Sequence, residues 1–88
     1  MTKPLDFTKV EALRRHMLLS IRDISMVLGV SRMTYYGWLK GKPLRKSNDA
    51  KVREKLRQLL DIMKEGWPQP DVIALESVAR RQRLLELL

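Results

Sequence analysis

Eighty-eight residues support one domain with a small core, and 44% of them are apolar. There is no cysteine and a single histidine, His16, which excludes disulfides, thiolate metal sites and a histidine pair for a metal. Eighteen Lys and Arg stand against ten Asp and Glu, a formal charge of +8 that favours a polyanionic partner.

In chain order, residues 1 to 6 read as a short extended arm, because Pro4 discourages a helix there. Thr8 and Glu11 have the T-x-x-E spacing of a capping box, which predicts a first helix from about Lys9 with Val10, Leu13 and Met17 on its apolar face. Ser20 and Asp23 predict a cap for a second helix running to about Leu28, with Ile21, Ile24, Ser25 and Leu28 on one side. Gly29 can take the left-handed conformation that a sharp turn needs. Ser31 then caps a third helix that ends near Gly41. Helix, glycine turn and helix in this order describe a helix-turn-helix, a device that lays its second helix in the DNA major groove.

After a basic loop over 42–47, Ser47 or Asn48 is expected to cap a fourth helix with a stripe of Val52, Leu56, Leu59, Leu60 and Met63. Gly66 and the run Trp67-Pro68-Gln69-Pro70 end it. Pro70 and Asp71 suit the first turn of a last segment, with Val72, Leu75 and Val78 or Ala79 inward and an apolar end of Leu84, Leu85, Leu87 and Leu88. Arg80, Arg81 and Arg83 interrupt that pattern, so the segment reads as one helix or two. No alternating strand pattern occurs, and the expected class is all-α, a compact bundle of about five helices.

The phrase LGVSRMTYYGWLKG resembles the signature of the lambda repressor and Cro-like (XRE-type) helix-turn-helix family of phages and bacteria. The resemblance rests on Ile24, Leu28, Gly29, Val30, Ser31, Thr34, Tyr35, Trp38 and Gly41 and covers about a quarter of the chain. It implies a lambda-repressor-like bundle that binds operator DNA, and it suggests Ser31 as both cap and phosphate ligand. Two positions depart from the family. Ser25 stands where Ala is usual, and Tyr35 replaces an aliphatic residue, so its hydroxyl must find a partner or the domain edge.

A helical wheel at about 100° per residue separates the two sides of the third helix. Tyr35, Trp38 and Leu39 point inward; Arg32, Met33, Tyr36, Gly37 and Lys40 cluster opposite. Arg32 can donate twice to a guanine edge, Met33 can pack on a thymine methyl, and Tyr36 can reach a phosphate or sugar. Gly37 lets the backbone approach the groove wall or a second subunit, and Thr34 packs near the crossing or touches the DNA backbone. From Arg32 to Arg57 nine basic residues meet only Asp49 and Glu54. Lys42, Arg45, Lys46 and Lys51 are expected to neutralise phosphates, with Arg22 reaching one across the groove. Arg53 and Arg57 fit ordinary i,i+4 helix pairs as well. The expected organisation is a DNA-binding domain over 1–66 and a helical extension over 67–88, which packs on the same core or mediates oligomerisation.

The function these features predict is a small sequence-specific, double-stranded DNA-binding regulator of repressor type, acting by site occupancy as a homodimer or higher homo-oligomer. Two alternatives share the composition. One is a phage DNA-packaging or DNA-processing adaptor; the other is a basic module that binds an acidic protein. No enzyme motif, cofactor site, small-molecule substrate or membrane span is visible, and a cytoplasmic, nucleoid-associated location is expected.

Overall fold

Three helices begin on a side-chain cap, and they are the three nearest the N-terminus. The computed structural model describes residues 4–88, which are all-helical with no strand among them. The order is α1 (Phe7–His16), α2 (Ile21–Leu28), α3 (Arg32–Leu39), α4 (Lys46–Lys64), α5 (Pro70–Ile73) and α6 (Ser77–Leu87). The expected five helices are thus six, because the last segment is two: a single turn opened by Pro70, then α6. Of the expected N-terminal arm, residues 1–3 lie outside the described region, and 4–6 are non-helical.

Two expected caps are wrong. Asp6, not Thr8, caps α1: its Oδ1 accepts from the Thr8 amide at 3.0 Å. The earlier start makes Phe7 helical, and its ring stacks on Trp38 at 5.3 Å between centroids. Glu11 is thereby released from capping. α4 starts from Arg45 without a side-chain cap, ahead of Ser47 and Asn48, and Asp49 supplies the negative charge of its first turn. At α2 the expected box is present. Ser20 Oγ accepts from the Asp23 amide at 3.0 Å, while Asp23 Oδ2 accepts from the Ser20 amide at 2.9 Å.

The core gathers Val10, Met17 and Leu19 with Ile24, Val27 and Leu28, then Tyr35, Trp38, Val52, Leu59, Ile62, Trp67, Val72 and Leu84. On α4, Leu60 is exposed and Ile62 takes its place. The two positions lie about 80° to either side of Val52 on the wheel, so periodicity alone cannot choose between them. The fold chooses the Ile62 side, where the chain turns back and the Trp67 amide donates to the Ile62 carbonyl at 3.3 Å. Val78 and Leu85 are exposed, as is Leu87, while Leu84 is fully buried and Leu88 half-buried against the core.

The C-terminal segment is bound into the core by hydrogen bonds as well as by packing. Leu18 ends α1 in the left-handed conformation usually given to glycine (φ 62°). Three successive carbonyls there are each taken by a side chain, two of them from the C-terminal segment. Trp67 Nε1 donates to Met17 at 2.9 Å, Arg80 Nη1 to Leu18 at 3.4 Å and Arg14 Nη1 to Leu19 at 2.7 Å. Arg80 also donates to the carbonyls of Val72, Ile73 and Leu75, which closes the end of α5. Arg81 Nη1 reaches the buried Asp23 carboxylate at 3.0 Å. The arginines that broke the apolar pattern are therefore what attaches α6 to the rest of the chain.

Tyr35 is fully buried, and its hydroxyl donates to Glu11 Oε2 at 2.7 Å. Arg14 donates to both Glu11 oxygens, at 2.6 and 3.0 Å. The Arg14 guanidinium holds the Glu11 carboxyl below its ordinary pKa. Burial and the adjacent carboxylate push the Tyr35 phenol up. A carboxyl with a lowered folded-state pKa stabilises the fold above its unfolded pKa and loses that contribution as pH falls through the folded value. A phenol with a raised one stabilises it below its unfolded pKa, near 10, and loses that contribution as pH rises. Thermal melts across pH should thus fall off on both sides. Glu11→Gln flattens the acid limb and Tyr35→Phe the alkaline limb; an alkaline limb unchanged in Tyr35→Phe contradicts this assignment.

Candidate nucleic-acid interface

The turn between α2 and α3 follows from local chemistry. Gly29 is left-handed (φ 72°), its amide donates to Met26 at 3.2 Å, and the Val30 amide donates to Ser25 at 3.0 Å. Ser25 is buried and returns its hydroxyl to the Ile21 carbonyl at 2.8 Å, so it presents no unpaired polar group to the core. Ser31 Oγ accepts from the Thr34 amide at 3.0 Å and donates to Thr34 Oγ1 at the same distance. From Lys51 on α4, Nζ reaches the Gly29 carbonyl at 3.5 Å.

α3 divides much as its wheel predicts. Tyr35 and Trp38 are buried; Arg32, Thr34, Tyr36 and Lys40 are exposed, and Met33 is 84% exposed. Two expectations fail. Leu39, expected inward, lies at the last position of α3 and is exposed beside the groove that Phe7, Trp38 and Leu44 also border. Gly37, expected outward, is buried by a residue from beyond the helix. A Cβ built on it would lie 3.1 Å from Lys42 Cδ and within 4 Å of Cγ and Cβ. Glycine inside a helix costs about 1 kcal/mol relative to alanine, and here the Lys42 stem packs over the bare backbone, a few tenths of an ångström closer than a Cβ would comfortably allow.

Apart from Lys9 on α1 and Lys55 and Lys64 on α4, which also meet no carboxylate, the described basic residues fall into two populations. Arg14, Arg15, Arg53, Arg57, Arg81 and Arg83 each meet a carboxylate, and Arg80 is taken up by carbonyls. The paired set includes Arg53 and Arg57, with Asp49 and with Glu54 and Asp61 respectively. By contrast Arg22, Arg32, Lys40, Lys42, Arg45, Lys46 and Lys51 are exposed, with no carboxylate within ion-pair distance among the described residues. Seven unpaired cations make an electropositive surface whose interaction with a polyanion costs no existing salt bridge.

Two shallow grooves shape that surface. One is bordered by Ser31, Arg32, Tyr36 and Lys40, the other by Thr34, Pro43, Arg45 and Asn48, and Met33, Gly37 and Lys42 border both. Arg22, Lys46 and Lys51 border neither, although Lys46 follows Arg45 directly at the start of α4. Asn48 is the residue that sequence reasoning missed as a site candidate. Once Arg45 takes the start of α4, the Asn48 side chain has no capping bond among the described residues and faces the second groove. Its place three residues after the basic Arg45 is the only signal the sequence carried. No group of three or more metal-ligating side chains occurs among the described residues, and no helix there is long and apolar enough to cross a membrane.

Comparison with known proteins returns no match: no family model fits the sequence, and no curated protein or solved structure is similar to the chain.

Proposed function

We propose that the chain is a sequence-specific double-stranded DNA-binding protein, with α3 entering the major groove, acting as a small regulator of repressor type by occupying its site. The observation that carries this reading is the exposed α3 face with Arg32, Lys40, Lys42 and Arg45 unpaired along its grooves, while Arg14, Arg15, Arg53, Arg57, Arg81 and Arg83 are engaged by the chain's own carboxylates. An acidic protein partner would be served by charge alone. It gives no reason for a short helix that exposes Arg32, Met33 and Tyr36 together on one groove. Arg32, in the first turn of α3, donates to a guanine edge; Met33 meets a thymine methyl; Ser31, Thr34 and Tyr36 touch the backbone. Lys40, Arg45, Lys46, Lys51 and Arg22 neutralise phosphates. One such helix reads only a few base pairs, so two copies on a twofold site are expected, in the cytoplasm of a bacterium or a phage-infected host.

Arg32→Ala and Lys46→Ala separate the two roles. Arg32→Ala should reduce discrimination at one base pair by about 1–3 kcal/mol. Lys46→Ala should weaken all duplexes alike and make the log–log salt slope shallower by about 0.9. Fluorescence anisotropy with matched and single-base-pair variant duplexes at several salt concentrations measures both. If Arg32→Ala lowers affinity uniformly and leaves base preference intact, α3 is not the reading element.

A further inference from the structure

Two cations of this surface lie against a glycine: Lys51, whose ammonium itself is taken by the Gly29 carbonyl at 3.5 Å, and Lys42, which is held by its stem. Its methylene stem lies across α3 at Gly37, with Cδ 3.1 Å and Cγ 3.8 Å from where a Gly37 Cβ would be. Its amide donates to the Gly37 carbonyl at 2.9 Å, and left-handed Gly41 (φ 100°) turns the chain back to bring it there. Met33, Gly37 and Lys42 border both grooves, so Met33 and the Lys42 stem over Gly37 form the ridge between them. Its ammonium has no carboxylate partner among the described residues.

A phosphate contact requires none of this. Phosphates accept a mobile point charge, which a lysine on a free stem delivers well. A contact to one base edge needs the cation at a fixed place, and holding a lysine still costs rotamer entropy. Packing the stem closely over the bare Gly37 backbone meets part of that cost before any ligand arrives, and the helix tolerates its glycine in return.

Resting on the DNA-binding reading, we infer that Lys42 is a specificity residue: its ammonium, held against α3 by Gly37, donates to a guanine O6 or N7 in the major groove. It acts beside Arg32 and Met33 as part of the reading face although it lies outside the recognition helix. Gly37 is then a positioning residue, acting through the lysine stem that lies over it.

The test uses the full chain on the duplex it selects, and on every single-base-pair variant of that duplex. Lys42→Met keeps an apolar stem and removes the charge. It should lose roughly 5- to 100-fold of discrimination at one base pair and keep its preference elsewhere. Gly37→Ala keeps the lysine but displaces its stem. It should lose preference at that same base pair while its thermal midpoint holds or rises. The double variant should lose no more than Lys42→Met alone. The inference is overturned if Lys42→Met weakens every duplex equally with a shallower salt slope, because Lys42 is then a phosphate contact on an intact DNA-binding protein. It is equally overturned if Gly37→Ala leaves all preferences in place. A wild-type chain with no preferred duplex removes the DNA reading itself, and this inference with it.

Discussion

Trp67→Ala should lower the stability of the chain by about 3–5 kcal/mol, the usual cost of emptying a large aromatic site in a core. A domain of this length has roughly 4–13 kcal/mol in total, so the variant should be largely unfolded by modest urea. Trp67 is 2% exposed and is the largest fully buried side chain. Its indole N–H also satisfies the Met17 carbonyl at the end of α1. Trp67→Phe divides the two contributions: it retains most of the apolar volume and abandons a buried carbonyl, which costs about 1–3 kcal/mol. Urea unfolding followed by circular dichroism measures both. An unchanged midpoint for Trp67→Ala would mean that residues 67–88 are an appendage on a self-sufficient 1–66. With Trp67, Val72 and Leu84 in the same core as Val10 and Leu28, the expectation is the reverse. A chain cut after residue 66 should not fold.

Arg81→Ala should cost about 3 kcal/mol, at the lower end for breaking a buried ion pair because the guanidinium is partly exposed. The Asp23 side chain is 3% exposed and the Arg81 side chain 16%, at 3.0 Å. Without Arg81, Asp23 keeps its bond to the Ser20 amide but remains a charge with little access to water. Asp23→Asn alone should also destabilise, whereas Asp23→Asn with Arg81→Ala should be milder than the sum of the two single changes. Strict additivity in that double-mutant cycle would show that the two side chains do not interact in solution. Because Asp23 belongs to the capping box of α2, the Arg81→Ala variant should also loosen the entry into the helix-turn-helix, some sixty residues away in sequence. Faster amide exchange at Ile24 and Ser25 would report it.

The interior elements were legible because each advertised itself locally. The Ser20–Asp23 box, left-handed Gly29 and the Ser31 cap depend on neighbours within four residues, so their geometry follows from their own sequence. The faces of α3 were legible too, as far as a wheel can carry them. Leu39 and Gly37 escaped because their surroundings come from elsewhere: an open groove edge at the helix end, and a lysine returning from beyond a turn. Leu60 and Ile62 were equivalent by periodicity and were separated only by where the chain folds back. The paired and unpaired arginines were the least legible of all. Arg53 and Arg57 have i,i+4 partners that spacing suggests, but Arg80 and Arg81 find theirs on α5, on the α1–α2 link and on α2. In sequence they looked like part of the basic excess, and in the fold they are internal fastenings.

The α3 face is proposed to read DNA sequence. Repeated selection of bound duplexes from a random-sequence library, with the full-length chain near physiological salt, asks this directly. The expected result is enrichment of a short motif, arranged as two half-sites related by a twofold axis, with a G·C pair whose preference depends on Arg32. Binding without enrichment of any sequence, or no retention of duplex DNA at all, would contradict it.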